Sequence, residues 1–149
     1  AVFMSAVKNI LEKKGSTVYR VAEDASVLEA AELMNQHRIG ALVVTHGDNV
    51  VGIFTERDVL NRVVAPRRDP DETKVKDVMS SPVACCTPDT SRDECRAVMR
   101  SRRLRHLPVV EDDRLVGIVS VGDVLEATEA EQEQTIRDMY EYVYGSRTS

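Results

Sequence analysis

The stretch that decides the fold is "VVGIFTERDVL" at residues 50–60, which returns almost unchanged as "LVGIVSVGDVL" at residues 115–125. Both copies begin with a short apolar run of the kind that forms a buried β-strand. Both then become polar and continue as a helix-like segment. A phrase of this length that recurs 65 residues later indicates an internal duplication.

The duplication extends well beyond this phrase. Residues 16–60 align without a gap on residues 81–125, and 16 of the 45 aligned pairs are identical. Upstream, "VKNIL" at 7–11 matches "VKDVM" at 75–79 once three extra residues, "KKG", are allowed in the first copy. Each copy is too short to bury much surface alone, so we expect the two copies to pack against each other about a pseudo-twofold axis.

Each copy predicts the same order of elements, β-α-β-β-α. An extended lead-in (17–21 in one copy, 82–86 in the other) precedes a helix that opens with a Ser-x-x-Glu capping box. Two strands around a polar turn follow, and a second helix begins at a hydroxyl residue. The predicted fold class is therefore α/β (α+β), with two such repeats about a pseudo-twofold axis and a C-terminal helix.

Four parts are predicted along the chain. Repeat 1 with its lead-in spans residues 7–65, a Pro- and charge-rich linker spans 66–74, and repeat 2 spans 75–128. A C-terminal helix is predicted at 129–145, because its apolar residues recur at helical spacing and form one stripe that should find a partner. The residues of the stripe are Ile136, Met139, Tyr140 and Val143.

Composition and motif content exclude several classes of protein. A formal net charge of −5 argues against a nucleic-acid binder, and no apolar run has the length of a membrane span. Three cysteines without a CxxC motif argue against a disulfide framework or a zinc site. No activated nucleophile, pair of catalytic carboxylates or metal cluster is visible, so we expect neither an enzyme nor a required cofactor. With no recognisable secretory signal, a cytoplasmic protein is the simplest expectation.

The hydroxyl–aspartate pair in each repeated phrase has two interpretations. Thr55 with Asp58, and Ser120 with Asp123, could simply be capping boxes. However, the first helix of each copy uses Glu in its box, and Asp is one methylene shorter, which predicts that it reaches the N-cap amide poorly. A short carboxylate in the first helical turn is well placed to accept two hydrogen bonds from a vicinal diol such as ribose. The neighbouring helix N-terminus favours an anion.

The combined motifs resemble a tandem pair of CBS domains, also called a Bateman module. The resemblance covers about residues 7–145 and rests on "IGALVV" with "GIFTERDVL", on "RLRHLPVV" with "GIVSVGDVL", on "VKDVM" and on the tail "YEYVYG". It implies two clefts between the repeats that take adenosine-containing ligands such as AMP, ADP, ATP, S-adenosylmethionine or dinucleotides. It also implies a homodimer and an unidentified partner protein that the module regulates.

The resemblance further implies that each cleft combines the hydroxyl–aspartate motif of one repeat with strands of the other. In the first cleft, Thr55 and Asp58 would hold the ribose, and Arg105 and His106 would lie at the phosphates. Pro108 would help to wall the base. The second lead-in would contribute Pro82, Val83 and Ala84.

In the second cleft the chain departs from this pattern. Gly40 and Ala41 align with Arg105 and His106, so no cation is expected at those positions. The first cleft should therefore bind phosphorylated ligands more tightly. The residues predicted for the second cleft are Ser120, Asp123, Thr17, Val18, Gly40 and Ala41.

Two functions remain open from the sequence. The favoured one is a regulatory or sensor module that binds AMP, ADP or ATP, with NAD and S-adenosylmethionine as further candidates, and modulates a partner. In that case the adenine nucleotide is a regulatory ligand. The alternative is a constitutive dimerisation or protein-interaction domain with no functional ligand.

Overall fold

A computed structural model of the chain describes residues 6–126 and residue 137. The predicted C-terminal helix (129–145) and its apolar stripe therefore lie outside the described residues, apart from Arg137. Within the described part, the helix, the two strands and the final helix of each copy follow in the predicted order, an additional short helix precedes each copy, and the lead-in strand forms only in the first copy. The predicted fold class is confirmed.

The first copy begins with helix α1 and ends with a short α-helix, α3, that continues as a π-helical segment. Its elements are α1 (Val7–Lys14), β1 (Arg20–Ala22), α2 (Val27–His37), β2 (Ala41–His46), β3 (Asn49–Thr55), α3 (Glu56–Asp58) and the π-helical segment (Val59–Val64). The second copy contains α4 (Val75–Val78), α5 (Arg92–Arg102), β4 (His106–Glu111), β5 (Arg114–Ser120) and α6 (Val121–Leu125).

The two copies differ in their lead-in strands. In the first copy, β1 pairs in parallel with β2, which pairs antiparallel with β3, and β1 lies at 20–22 rather than at the predicted 17–21. In the second copy, β4 and β5 form an antiparallel pair, and the predicted strand at 82–86 is reduced to one parallel bridge between Cys86 and Val109.

A proline explains part of this difference. In the first copy the Val43 amide on β2 donates a hydrogen bond of 3.3 Å to the Tyr19 carbonyl oxygen in the lead-in. Pro108 occupies the aligned position on β4 and has no N–H to donate. The second lead-in therefore lacks one of the bonds that extend a parallel strand.

Each hydrophobic core is completed by the first helix of the other copy. Val7 and Ile10 of α1 are buried in the core that contains Leu107, whereas Val75 and Val78 of α4 are buried in the core that contains Leu42 and Phe54. Fully burying one such aliphatic side chain stabilises a fold by about 1.5–3 kcal/mol. The two packing units are therefore not consecutive segments of the chain.

The glycine of the repeated "VGI" phrase allows α1 and α4, the helices exchanged between the two copies, to pack closely. A Cβ atom at Gly52 would lie 2.6 Å from the Met79 sulfur, and one at Gly117 would lie 2.9 Å from the Leu11 Cδ2 atom. Only glycine leaves space for these side chains over β3 and β5. The exchange brings the residues after α1 and α4 to the opposite copy, where the aspartate motifs lie.

Candidate functional site

Asp58 and Asp123 each complete a capping box. The Thr55 amide donates to Asp58 Oδ2 at 2.9 Å, and the Asp58 amide donates to Thr55 Oγ1 at 3.2 Å. The corresponding distances for Ser120 and Asp123 are 2.8 and 3.1 Å. The expectation that aspartate reaches the N-cap amide poorly is therefore wrong.

The backbone at the two aspartate boxes differs from that at the Ser-x-x-Glu box of α5. The N-cap residues Thr55 and Ser120 have φ of −121° and −107°, whereas Ser91, which precedes α5, has φ of −75°. The φ angle sets the direction of the N-cap N–H bond, and in both aspartate boxes the carboxylate accepts that N–H, at 2.9 and 2.8 Å. At Ser91 even the longer Glu94 side chain accepts the amide hydrogen bond only at 3.4 Å.

Capping uses one carboxylate oxygen of Asp58 and leaves the other for a different partner. The second oxygen, Oδ1, lies 3.3 Å from Ser80 Oγ and 3.8 Å from the Arg62 Nε atom, and the side chain is 8% exposed. Ser80 directly follows the residue that caps the exchanged helix α4. Capping and ligand binding are therefore compatible roles for the same aspartate.

The first cleft is an open cavity of about 640 Å³ that brings four predicted residues together. Thr55 and Asp58 come from the first copy, and Arg105 and His106 come from the second. The other residues predicted for this cleft do not line the cavity, and a ligand role for them stays a prediction. They are Pro82, Val83, Ala84 and Pro108.

The walls of the first cleft carry more positive than negative side chains. The Arg105 carbonyl oxygen accepts from the Val121 amide at 2.9 Å. The guanidinium of Arg105 makes no hydrogen bond or ion pair with any residue that the structure describes, so it is available to an anion. Arg62 is committed, because its Nη1 atom donates to the carbonyl oxygens of Val78 and Met79 at 3.2 and 2.8 Å. The charged residues on the walls are Arg57, Arg62, Arg103, Arg105, Glu56 and Asp58.

His106 lines both clefts, so it forms part of the wall between them. Burial lowers the pKa of His106, and the nearby charges of Lys14 and Arg105 lower it further, against the opposing effect of Asp123 and Glu56. The imidazole is therefore neutral at pH 7 before any ligand binds. A phosphate at this position would have to raise its pKa to make it cationic.

The second cleft is an open cavity of about 410 Å³. It brings together Thr17, Gly40, Ala41 and Ser120, as the sequence predicts. Val18 is partly buried and does not line the cavity. Asp123 does not line it either, but it contacts two residues that do, Lys14 and Ser120. Residues on its walls that the sequence did not predict are Lys14, Tyr19, Ile39, His106 and Ile118.

The second cleft has no cation at positions 40 and 41, as expected, but it has one elsewhere on its wall. Gly40 and Ala41 carry no charge, but the Lys14 ammonium enters from the C-terminal end of α1 and lies 2.6 Å from Asp123 Oδ2. Burial alone would raise the pKa of the Asp123 carboxyl. The hydrogen bonds from Lys14 and Ser120 outweigh burial and hold that pKa below its ordinary value.

The described part of the chain offers no metal cluster, no membrane-spanning helix and no pair of facing adjacent thiols. Across residues 6–126 and 137, no cluster of three or more His, Cys, Asp or Glu side chains could hold a metal ion. Within those limits, no helix combines the length and apolar character needed to cross a membrane. Cys85 is exposed and Cys86 is buried, so the two adjacent thiols point to opposite sides, as an extended segment predicts.

Comparisons with known proteins agree on one family. The family model described as "CBS domain" matches residues 7–65 and 75–130. The CBS domain-containing protein CBSX3, mitochondrial, of Arabidopsis thaliana is 31% identical over 95% of this chain and 73% of its own length. The CBS domain-containing protein YhcV of Bacillus subtilis (strain 168) is 36% identical over 81% of this chain and 84% of its own length.

Solved structures agree with the sequence comparisons. A protein with CBS domains from Burkholderia ambifaria MC40-6 superposes with a TM-score of 0.80 at 40% identity, over 86% of this chain and 96% of that one. The CBS-domain containing protein ATU1752 from Agrobacterium tumefaciens gives a TM-score of 0.75 at 39% identity, over 81% of this chain and 97% of that one.

Proposed function

Because this chain belongs to the CBS-domain family, we propose that it is a regulatory module whose first cleft binds an adenosine-containing ligand with at least one phosphate. The observation that carries the proposal is that Asp58 of one copy meets Arg105 and His106 of the other across a single cavity. The proposal assigns no catalytic step to the chain, and it leaves open which partner protein the module regulates.

The chemistry of the first cleft suits a nucleotide in two places. The Thr55 amide and the Ser80 hydroxyl hold the Asp58 carboxylate in place. A carboxylate has about four acceptor positions, so the remaining ones can accept hydrogen bonds from the two hydroxyls of a ribose. Across the cavity, Arg105 can donate two parallel hydrogen bonds to phosphate oxygens. A cavity of about 640 Å³ is of the usual size for a small-molecule site.

Adenine nucleotides are expected to stabilise the fold, because a ligand that binds only the native state shifts the unfolding equilibrium. At a 100-fold excess over Kd the gain in the free energy of unfolding is about 2.7 kcal/mol. For a chain of 149 residues this raises Tm by roughly 5–10 °C. Thermal-shift measurements with AMP, ADP, ATP and S-adenosylmethionine at millimolar concentration test it, with inorganic phosphate as the control. A flat response to all four would refute the proposal.

Association into a homodimer is a second part of the proposal. Leu60 and Leu125 occupy aligned positions in the two copies and are 60% and 58% exposed, and Val64 is 60% exposed. Leucines exposed at matched positions favour a twofold contact that would bury both, and a twofold pair is the commonest oligomer. The same observation favours the alternative function, a constitutive interaction domain without a functional ligand.

Light scattering at high micromolar concentration is expected to give the mass of a dimer. The double variant Leu60→Lys, Leu125→Lys should give the monomer mass, because two charges would have to be buried in the contact. Lys8→Ala, on an exposed part of α1, serves as the control. A monomer mass for the wild type, with and without AMP, would rule out the dimer. A dimer together with no thermal shift would favour the alternative function.

A further inference from the structure

The three extra residues of the first copy change which group meets the aspartate of the opposite copy. In the second copy, Ser80 follows α4 closely, and its amide donates to the Ile53 carbonyl oxygen at 2.9 Å. Ile118 occupies the position that aligns with Ile53. Its carbonyl oxygen accepts instead from the Lys14 ammonium at 3.0 Å. A lysine side chain thus takes the place of a backbone amide.

The groups that contact the two aspartate carboxylates differ in the same way. Ser80 Oγ lies 3.3 Å from Asp58 Oδ1, whereas Lys14 Nζ lies 2.6 Å from Asp123 Oδ2. Asp58 therefore has a hydroxyl at 3.3 Å and the more distant Arg62 Nε atom at 3.8 Å, whereas Asp123 has an ammonium in direct contact with it. The Lys14 side chain is 32% exposed and that of Asp123 is 18% exposed, so the ion pair is partly shielded from water.

This ion pair controls what can reach Asp123. A ribose diol that binds there competes with the ammonium for the carboxylate. An unphosphorylated nucleoside offers the displaced ammonium no negative partner, and leaving a partly buried charge unpaired is unfavourable. A ligand that carries phosphate supplies that partner within the same cavity.

The neighbouring residue Lys13 makes an ion pair outside the cleft. Lys13 pairs with Glu126 at 3.4 Å, with side chains 59% and 39% exposed, and it does not line the second cleft. It ties α1 to the end of α6, as Lys14 also does. Lys13 is therefore a matched control for any effect that comes only from anchoring α1.

We propose that Lys14 determines the ligand class of the second cleft, which admits adenosine ligands that carry phosphate and rejects the uncharged nucleoside. The inference rests on the proposed function, since it assumes that the clefts bind adenosine-containing ligands. It assigns to the first helix a role in selectivity at a site formed mainly by the rest of the module.

Calorimetric titration of AMP and adenosine into the full chain tests the inference, in an Asp58→Asn background that weakens the first cleft. The parent is expected to prefer AMP to adenosine by at least about tenfold, the equivalent of one charge-assisted hydrogen bond. Lys14→Met should bind adenosine more tightly and AMP less tightly, so that the preference falls by about tenfold or more. Lys13→Met should keep the parent's preference.

Three outcomes would overturn the inference. One is an unchanged preference in Lys14→Met, and another is an equal loss of affinity for both ligands, which would mean that Lys14 only anchors α1. The third is an Asp58→Asn protein that binds neither ligand with or without Lys14, while the wild type binds AMP. If the wild type itself binds no adenosine ligand, the proposed function fails instead.

A measurement without ligand tests the ion pair on which the inference depends. Carbon-13 NMR titration of the Asp123 carboxyl should give a pKa below the ordinary value in the wild type and a higher value in Lys14→Met. Lys13→Met should leave it unchanged. An Asp123 pKa that does not respond to Lys14→Met would mean that the ion pair does not hold the carboxylate, and the inference would be abandoned.

Discussion

Asp58→Asn is expected to weaken AMP binding in the first cleft by on the order of 100-fold, whereas Asp123→Asn leaves the tight site unchanged. The side-chain carbonyl oxygen of asparagine can still accept the hydrogen bond from the Thr55 N–H, so the capping box is retained. The substitution removes the charge and puts a donor where a ribose hydroxyl would donate. Two charge-assisted hydrogen bonds at about 1.5 kcal/mol each, the lower end of their usual range, account for an effect of this size.

Calorimetric titration at fixed salt concentration measures this effect, and Arg105→Gln separates the two ends of the ligand. Arg105→Gln should weaken AMP binding by about 10- to 100-fold and leave adenosine nearly unaffected, because only the phosphate contact is lost. Loss of the tight site in Asp123→Asn instead of Asp58→Asn would show that the clefts are assigned to the wrong copies.

Gly52→Ala should destabilise the fold by about 1–3 kcal/mol, the usual cost of overpacking a tight contact. The added Cβ would lie 2.6 Å from the Met79 sulfur and 2.9 Å from the Ser80 carbonyl oxygen. A backbone atom cannot rotate away, so the end of α4 must shift. Since Ser80 also contacts Asp58, AMP affinity should fall together with stability.

Gly117→Ala is the matched control for this prediction. Its Cβ would meet Leu11 Cδ2 and Cδ1 at 2.9 and 3.0 Å, and both atoms are the end of a flexible side chain. Urea unfolding should therefore show a smaller loss of stability than in Gly52→Ala, with AMP binding in the first cleft retained. Equal losses in the two variants would mean that the Ser80 backbone is not the decisive contact.

The order of elements could be predicted from the sequence because the signals are local. Ser26 and Ser91 accept hydrogen bonds from the amides of Glu29 and Glu94, three residues on, as a helix start requires. The same signals occur at aligned positions in both copies, so the prediction for one copy supports the prediction for the other. The meeting of Asp58 and Arg105 in one cavity could be predicted only through resemblance to a family, since the two residues belong to different repeats.

Other features of the site depend on tertiary contacts that local patterns do not encode. In the sequence the three residues "KKG" are only a difference in spacing between the two copies, and nothing in them indicates that Lys14 reaches Asp123. Side-chain length alone does not predict that Asp58 caps its helix, because the distance from the carboxylate to the Thr55 amide depends on how the first helical turn places both groups. In both cases a three-dimensional distance decides the chemistry.

The exchange of α1 and α4 has a consequence for how a protein of this kind is assembled. A chain that carried only one copy would present an amphipathic helix with no core of its own to enter, and a second molecule would have to receive it. Two such molecules would form a swapped pair whose stability depends on protein concentration. The linker at 66–74 joins the two halves covalently. It replaces that dependence with an effective concentration in the millimolar range, so the pair forms within one chain at any dilution.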